Sequence, residues 1–215
     1  MREICIIFVL VGTLVDSEGL CNQAFLDLLP QLDDSLASLV QRYRGHKLAA
    51  ILADLEQRLG FKLPDGFEGD YRQRVAERFA KDLKPMPGVS EILDIIQFPK
   101  CVASSGPLKK IQQALQVSGL DVYFTGCIFS SYEVGSWKPE PGLFRFAARS
   151  KGFQPGQCAV VEDSEAGIDA AIAAGMAAFQ FMADDTSAYR KENTRVFSDM
   201  RQLPPLLLEF AGGAC

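Results

Sequence analysis

Residues 4–11 form the first apolar run of the chain and contain no charged side chain. The run is short, rich in β-branched residues and ends at Gly12, a pattern that predicts a strand buried on both faces of a parallel sheet. Gly12 allows a sharp turn, and because it lacks a Cβ its amide can approach a ligand closely. Ligands of open α/β sheets bind at the carboxyl ends of the strands, so the sequence predicts a ligand-binding turn here.

The next stretch, residues 17–79, has apolar residues at helical spacing and no strand pattern. These apolar positions are Leu20, Ala24, Phe25, Leu28 and Leu29, followed by Leu48, Ile51, Leu52, Leu55 and Leu59. Glycine and proline at positions 45, 60, 64 and 66 divide the stretch into about four helices. A hinge-like segment, Lys-Pro-Met-Pro-Gly at residues 84–88, then ends the helical region.

Strands and helices alternate after residue 88, which predicts βαβ units and a parallel sheet. The predicted strands span residues 100–104, 126–130, 158–162 and 177–181, and the predicted helices begin at Leu108, Gly142 and Glu165. A polar loop is expected at residues 184–193 and a closing helix at residues 203–210, with its two prolines in the first turn. We therefore expect an α/β core of residues 1–16 and 84–215. A helical domain, residues 17–83, is inserted after the first strand and is expected over the carboxyl edge of the sheet.

The chain has 215 residues and a formal net charge of −5, with a pI near 5.0. An acidic protein is poorly suited to nucleic acid or to an anionic membrane, although a local cationic pocket can still bind a small anion. No apolar run has the length of a membrane span, and the N-terminus lacks the pattern of a signal peptide. These features predict a cytoplasmic monomer or small homo-oligomer with a small-molecule partner.

The six cysteines show no CxxC spacing and no cluster with histidine. Cys5, Cys101 and Cys158 each begin an apolar run, which predicts buried thiols in neighbouring strands rather than disulfides. This usage is typical of a reducing cytoplasm. His46 is the only histidine, which excludes mechanisms that need both a histidine nucleophile and a histidine base.

Polar side chains follow three of the predicted strands. Ser104 and Ser105 precede a helix, where a hydroxyl and free amides can hold an anion, and a helix-capping serine is the ordinary alternative. Lys138 is followed by proline, which favours an extended lysine able to reach into a cleft, whereas most loop lysines are only solvated. Glu162 and Asp163 are paired carboxylates suited to Mg²⁺, with capping of the next helix by Asp163 as the alternative.

Together with the first run, these sites resemble the four motifs of the haloacid dehalogenase superfamily. Its first motif, a hydrophobic strand followed by Asp-x-Asp-Gly-Thr-Leu-Val-Asp-Ser-Glu, is matched at residues 12–18, Gly-Thr-Leu-Val-Asp-Ser-Glu. The chain departs from the motif at two positions. Val9 stands where the family has its aspartate nucleophile, and Val11 stands where it has its acid/base aspartate. The resemblance covers essentially the whole chain, and the helical insert is similar to that of the branch with β-phosphoglucomutase, phosphoglycolate phosphatase and other sugar-phosphate phosphatases.

The resemblance implies a Rossmann-like core with a helical cap, and Mg²⁺-dependent hydrolysis of a small phosphorylated metabolite through an aspartyl-phosphate. A sugar phosphate or sugar-acid phosphate would be the substrate. Ser104 would bind the phosphate, Lys138 would neutralise it, Asp163 would bind the metal, and Glu162 would act through water or as an orienting group. The remaining metal positions of the family are the side chain of residue 9 and the backbone carbonyl of residue 11. The further substrate contacts implied are Gly12, Thr13, Glu18 and Ser105, with Arg44, Gly45, His46 and Lys47 in a cationic cap loop that begins at Arg42.

Valine at positions 9 and 11 predicts a chain that does not turn over phosphate esters. Valine offers neither a nucleophile nor a titratable proton, and the metal loses a bridging carboxylate. Removing two negative charges lowers the repulsion of an anion, so phosphate binding is expected to survive. Three alternatives stay open: an altered form of an active phosphatase, β-phosphoglucomutase-like phosphoryl transfer, and a natural phosphate-ligand-binding pseudoenzyme. No G-x-G-x-x-G pattern follows the first strand, which weakens a dinucleotide-binding oxidoreductase.

Overall fold

The computed structural model describes residues 2–43, 48–183 and 190–213. It divides into a larger unit, Met1–Val15 with Pro85–Cys215, and a smaller unit, Asp16–Lys84. The boundaries expected from the sequence, after residues 16 and 83, lie one residue away from these. Within the described ranges, no helix has the length and apolar character that crossing a membrane requires.

The strands of the described chain are β1 (Cys5–Phe8), β2 (Val15–Asp16), β3 (Lys84–Pro85), β4 (Lys100–Ser104), β5 (Ile128–Ser130), β6 (Cys158–Glu162), β7 (Ala177–Phe181) and β8 (Arg195–Phe197). The helices are α1 (Glu18–Leu28), α2 (Leu36–Tyr43), α3 (Leu48–Leu59), α4 (Phe67–Asp82), α5 (Val89–Ile95), α6 (Leu108–Val117), α7 (Ser131–Val134), α8 (Gly142–Ser150), α9 (Glu165–Ala174) and α10 (Leu203–Gly212).

A six-stranded sheet forms the centre of the larger unit, in the order β5-β4-β1-β6-β7-β8. Each neighbouring pair is parallel. β1 lies between β4 and β6, so Phe8 is opposite both Val102 and Val161. Residues 4–8 have no exposed surface, as expected for a strand covered on both faces. The parallel α/β fold predicted from the alternation of strands and helices is confirmed.

Most element positions in this unit agree with the sequence pattern. The strands at residues 100–104, 158–162 and 177–181 and the starts of α6, α8 and α9 match the predicted residues, and α10 carries its two prolines in the first turn. The short helices α5 and α7, the edge strand β8 and the two-residue strands β2 and β3 were not predicted. β8 has only three residues, and its pairing with β7 places Phe197 opposite Phe181. So short a segment gives no periodic signal.

The smaller unit is helical and has its own apolar core. Its helices α1–α4 bury one cluster, which includes Ala24, Phe25, Leu29, Leu39, Tyr43, Ile51, Leu55, Phe67 and Tyr71. The rings of Phe25 and Tyr71 stack with their centroids 4.2 Å apart. At the surface of the unit, the Arg78 guanidinium binds both carboxylate oxygens of Asp27, at 2.7 and 2.6 Å. The four helices expected from the sequence are thus present, and they pack on one another through a shared core.

Candidate functional site

Thr13 and Asp163 meet at the carboxyl edge of the sheet. Thr13 follows β1 and Asp163 follows β6, and these two strands are hydrogen-bonded neighbours. The Thr13 hydroxyl donates to Asp163 Oδ1 at 2.8 Å, and Thr13 is fully buried. A buried hydroxyl needs such a partner because water is excluded. The fold therefore brings together two predicted site residues that lie far apart in the sequence.

Gly12 lies in the tight turn that follows β1. Its φ of +77° lies in the left-handed region that favours glycine. Its N–H donates to the Val15 carbonyl at 3.1 Å. A Cβ at Gly12 would lie 2.0 Å from Asp163 Oδ2. In this structure the amide closes the turn, and the space beside Gly12 is filled by the Asp163 carboxylate.

Glu162 is the last residue of β6 and is 1% exposed. Its Oε1 accepts from the backbone N–H groups of Asp163, at 2.9 Å, and Ser164, at 2.8 Å. Its Oε2 accepts from Lys138 Nζ at 2.5 Å. Gly167 on α9 permits this position, because a Cβ there would lie 1.7 Å from Oε2. Both carboxylate oxygens are thus engaged within the protein, which suits an orienting role better than direct contact with a metal.

Lys138 reaches the carboxyl edge, as its position before a proline predicted. Its side chain is 13% exposed, and its ammonium lies 5.6 Å from the centre of the Phe144 ring. The ammonium is held by Glu162 rather than by solvent. The lysine is therefore a positioned cation, with one side bound to a carboxylate and one against an aromatic face.

Asp163 has a strongly perturbed carboxyl group. Its pKa is raised to about 8, first by burial and then by the neighbouring charge of Glu162, against opposing effects of the Thr13 hydroxyl and Lys138. Asp163 does not cap α9. That role belongs to Ser164, whose Oγ accepts from the Gly167 N–H at 3.2 Å. The carboxylate is thereby left to face Thr13 and Gly12.

Ser104 ends β4 and is 7% exposed. It does not cap the following helix, because the cap position of α6 is Pro107. Its Oγ instead accepts from the Gly106 N–H at 3.4 Å. Ser130, which the sequence analysis did not single out, is fully buried and donates to the Gly106 carbonyl at 2.6 Å. Its position at the end of a predicted strand was the available signal. Ser105, the residue after Ser104, is exposed.

The two valines lie in different surroundings. Val9 is 2% exposed and packs in the main core cluster with Ile7 and Val160. Val11 is 50% exposed. Neither side chain offers a lone pair or a proton. The first strand thus leads directly to the edge where Thr13 and Asp163 meet, and the two positions that carry the chemistry in the resembling motif are apolar.

The donor set for a metal ion at this edge is small. Mg²⁺ prefers an octahedral shell of oxygens, including at least one or two carboxylates. Glu162 is engaged with Lys138 and two backbone amides, so Asp163 is the carboxylate that could bind directly, together with the backbone carbonyl of Val11. Across residues 2–43, 48–183 and 190–213, no three His, Cys, Asp or Glu side chains are arranged to hold a metal ion. The residues present do not fit a tight magnesium site.

The predicted contacts in the helical unit are only partly described. Glu18 is the first residue of α1, where an acidic side chain is favourable near the helix N-terminus. Arg42 binds both oxygens of Asp54, at 2.9 and 2.7 Å. The other loop residues named above, Arg44, Gly45, His46 and Lys47, lie outside the described residues.

Comparison with known proteins identifies the family. A family model described as haloacid dehalogenase-like hydrolase matches residues 5–175. The chain belongs to the haloacid dehalogenase-like hydrolases. It is 34% identical over 201 residues to 6-phosphogluconate phosphatase from Escherichia coli strain K12, an alignment that covers 91% of this chain and 90% of that protein. The membership predicted from the four motifs is confirmed.

Solved structures of other haloacid dehalogenase-like proteins share the fold over nearly the whole chain. A conserved haloacid dehalogenase-like protein of unknown function from Agrobacterium tumefaciens C58 has a TM-score of 0.84 and 28% identity, covering 97% of this chain and 99% of that one. A hydrolase of the same family from Deinococcus radiodurans R1 has a TM-score of 0.82 and 25% identity, covering 97% and 96%. That structure contains bound phosphate and sodium.

Proposed function

We propose that this haloacid dehalogenase-like chain binds a small sugar phosphate or sugar-acid phosphate at the carboxyl edge of its sheet and, as written, does not hydrolyse it. The observation that carries the proposal is the placement of Thr13, Ser104, Lys138 and the Glu162–Asp163 pair at the ends of neighbouring strands and loops, with valine at positions 9 and 11. The similarity to 6-phosphogluconate phosphatase supports 6-phosphogluconate or a related sugar acid as the ligand.

The proposed binding of a phosphate ester depends on the balance of charge at the carboxyl edge of the sheet. A phosphate ester is an anion that needs a cation and hydrogen-bond donors. Lys138 supplies the cation. Its contact with Glu162 holds the ammonium in one place. Ser104 supplies a hydroxyl at the end of β4, which is separated from β6 by β1. Valine at positions 9 and 11 removes the two carboxylates that would otherwise repel the anion.

The proposed lack of hydrolysis follows from the chemistry of the two valines. Hydrolysis through an aspartyl-phosphate requires a carboxylate oxygen that attacks phosphorus and a second group that protonates the leaving alcohol. The side chain of Val9 is packed into the apolar core and carries no nucleophile. Val11 cannot hold a proton for the leaving group. No other acid or base takes over these positions in the geometry described above.

We extend the proposal to the helical unit, residues 16–84, as the cap that selects the ligand. Arg42 is held by Asp54 within the unit, so contact with an acidic sugar would fall to Arg44, His46 and Lys47. The proposal also places the protein in the cytoplasm. Its support is the free-thiol state of Cys5, Cys21, Cys101, Cys127 and Cys158.

The test compares three proteins: the chain as written, the Val9→Asp/Val11→Asp variant and the Val9→Asn/Val11→Asn variant. Asparagine has nearly the size of aspartate but lacks its charge and nucleophilicity, so the third protein is the matched control. Phosphate release is measured with Mg²⁺ on a panel of sugar and sugar-acid phosphates. We expect turnover only with the double aspartate variant, and 6-phosphogluconate among its best substrates.

Three other outcomes have defined meanings. Turnover by the unaltered chain overturns its inactivity. A folded double aspartate variant that is silent on every ester shows that the remaining site is not that of a phosphatase, and leaves a binding protein. A sugar bisphosphate product in place of free phosphate assigns phosphoryl transfer of the β-phosphoglucomutase type. Binding is measured separately by calorimetry with 6-phosphogluconate, and no detectable heat at millimolar ligand contradicts the binding half.

A further inference from the structure

A group of thiols lies at the end of the sheet opposite the candidate site. Cys5 and Cys158 open β1 and β6 and are direct partners across the ladder, while Cys101 lies in β4 on the other side of β1. All three are fully buried in one apolar cluster, and the half-buried Cys127 packs against the same cluster. We refer to these four residues as the thiol cluster. The sequence predicted buried thiols in neighbouring strands for three of them, and the structure confirms that placement.

Lys151, at the end of α8, brings a cation to the thiol cluster. Its Nζ lies 3.0 Å from Cys127 Sγ. The pKa of Lys151 is raised, mainly by this contact with Cys127. A cation beside the sulfur is a feature of the surroundings in which reactive cysteines lie. Cys127 is also the member of the cluster that has exposed surface, so it combines access with a neighbouring positive charge.

Cys101 is placed to react with Cys127. The two residues precede the paired positions Val102 and Ile128 of neighbouring parallel strands, and the Val102 N–H donates to the Cys127 carbonyl at 2.9 Å. Residues opposite one another in adjacent strands are about 4.8 Å apart, within the Cα separation of about 4.4–6.8 Å that disulfides span. Side chains at opposed positions face the same side of the sheet, as their shared cluster requires. A bond between them therefore needs little movement of the backbone.

The thiols of Cys5 and Cys158 share the apolar cluster with Cys101. The pKa of Cys5 is lowered to about 4, first by its contact with Cys101 and then by that with Cys158, against the effect of burial and with a smaller attraction from Lys151. The pKa of Cys101 is raised by the same contact with Cys5 and by burial. Cys101 therefore keeps its proton until it attacks, and that proton is available to the hydroxide that leaves Cys127.

We propose that the thiol cluster is a peroxide-sensitive modification site, in which Cys127 is oxidised first and Cys101 resolves it as a disulfide. Hydrogen peroxide is the oxidant. The sulfur of Cys127 attacks one peroxide oxygen, the O–O bond breaks, and the departing hydroxide takes the proton of the Cys127 thiol to become water. Cys127 is then a sulfenic acid, oxidised by two electrons. The sulfur of Cys101 attacks that of Cys127, the S–O bond breaks, and the departing hydroxide takes the Cys101 proton to form the second water.

Cys21 provides the internal control for this proposal. It is half-buried like Cys127, but its pKa is raised to about 11 by burial. Reactivity set by exposure alone would oxidise the two at similar rates. If the contact with the Lys151 ammonium sets the reactivity, Cys127 is oxidised before Cys21.

The experiment is carried out on the full chain in a Cys215→Ser background, which leaves the five described cysteines. The native protein is treated with hydrogen peroxide, sampled over time, and mapped by mass spectrometry of non-reduced peptides. We expect a Cys101–Cys127 link as the first product, while Cys21 stays reduced. Oxidation of Cys21 before Cys127, or a first disulfide that leaves out Cys127, overturns the proposal. This mapping needs no variant within the cluster, so it decides the matter even if such a variant fails to fold.

Two variants then test the assigned roles. In Cys101→Ser, the sulfenic acid of Cys127 should persist and be trapped by dimedone, and failure to trap it contradicts the resolving role of Cys101. In Lys151→Met, oxidation of Cys127 should slow by about tenfold, while Lys151→Arg keeps the charge and should restore most of the rate. Equal rates in all three proteins would show that the cation plays no part.

Discussion

The ammonium of Lys138 lies 2.5 Å from Oε2 of Glu162, and the two side chains are 13% and 2% exposed. An ion pair so far from water has given up most of its hydration, and each charge now depends on the other. The same pair orients the one lysine that the sequence assigned to the phosphate. Stability and ligand binding are therefore linked at this contact.

Removing the charge of Lys138 should destabilise the fold. In Lys138→Met, Glu162 keeps its two backbone donors but loses its counter-ion in a buried position, so we expect a loss of about 3 kcal/mol in the free energy of unfolding. Urea denaturation measures the loss. Arg72→Met is the matched control, since Arg72 pairs with Glu68 on the exposed face of α4, and it should cost less than about 0.5 kcal/mol. If the double variant Lys138→Met/Glu162→Gln recovers part of the lost stability, the unpaired charge of Glu162 is the cause. Equal losses in Lys138→Met and Arg72→Met would refute the argument.

Gly12→Ala should cost more than other substitutions at glycines with positive φ. The alanine would suffer both backbone strain, about 1 kcal/mol or more, and a Cβ placed 2.0 Å from Asp163 Oδ2. Gly119 has a φ of +71° in the same unit but no atom within 4 Å of the Cβ position, so Gly119→Ala reports the strain alone. Thermal unfolding of both variants gives the comparison. A Gly12→Ala variant as stable as Gly119→Ala would show that Asp163 moves aside freely.

Magnesium should have little effect on the chain as written. A ligand present at its own dissociation constant stabilises by about 0.4 kcal/mol, and the small donor set around Asp163 is expected to leave millimolar Mg²⁺ at or below that level. Unfolding midpoints with Mg²⁺ and with a chelator should therefore nearly coincide. In Val9→Asp/Val11→Asp, the added carboxylate at position 9 should separate the two midpoints. A large magnesium-dependent shift in the unaltered chain would contradict the fit described above.

Acid should weaken the helical unit through Asp54. The Arg42 guanidinium and the Tyr43 hydroxyl hold the pKa of Asp54 down to about 2 despite its partial burial. A lowered carboxyl pKa stabilises the fold at every pH above the pKa of the same group in the unfolded chain, near 3.9. This contribution is lost as the pH falls from about 4 towards 2. Because the pair is partly exposed, we expect about 1 kcal/mol. The difference in unfolding free energy between the chain and Asp54→Asn should be constant above pH 5 and disappear at low pH. A difference that keeps its full size at pH 2 would rule out the charge as its source.

Local patterns were sufficient to predict much of the fold. Continuous apolar runs predicted β1, β4, β6 and β7 because buried parallel strands need no polar face, and the two prolines of α10 are in the first turn, where their missing N–H groups cost nothing. β8 and α7 are shorter than the period that such patterns need. Their formation depends on neighbours, such as Phe181 opposite Phe197, that the sequence alone does not pair.

The sequence was sufficient to place the site residues at the ends of strands and loops, but not to predict which residues they bind. The sequence placed Glu162, Asp163 and Lys138 at the ends of elements, yet nothing local distinguishes a lysine in solvent from one bound to Glu162. Asp163 and Ser164 are adjacent and both can cap a helix, and the structure assigns the cap to Ser164. The sequence did not show that the Gly12 amide donates to the Val15 carbonyl three residues later.

β1 is synthesised before β4 and β6, and it lies between them in the finished sheet. Its first partner is not complete until residue 104, and its second is not complete until residue 162. The helical unit, residues 16–84, has its own core and leaves the ribosome before either partner. Because domains fold as units during translation, the helical unit can form while the most apolar segment of the chain is still unpaired. A nascent chain of this design therefore presents β1 to chaperones until residue 162 has been synthesised.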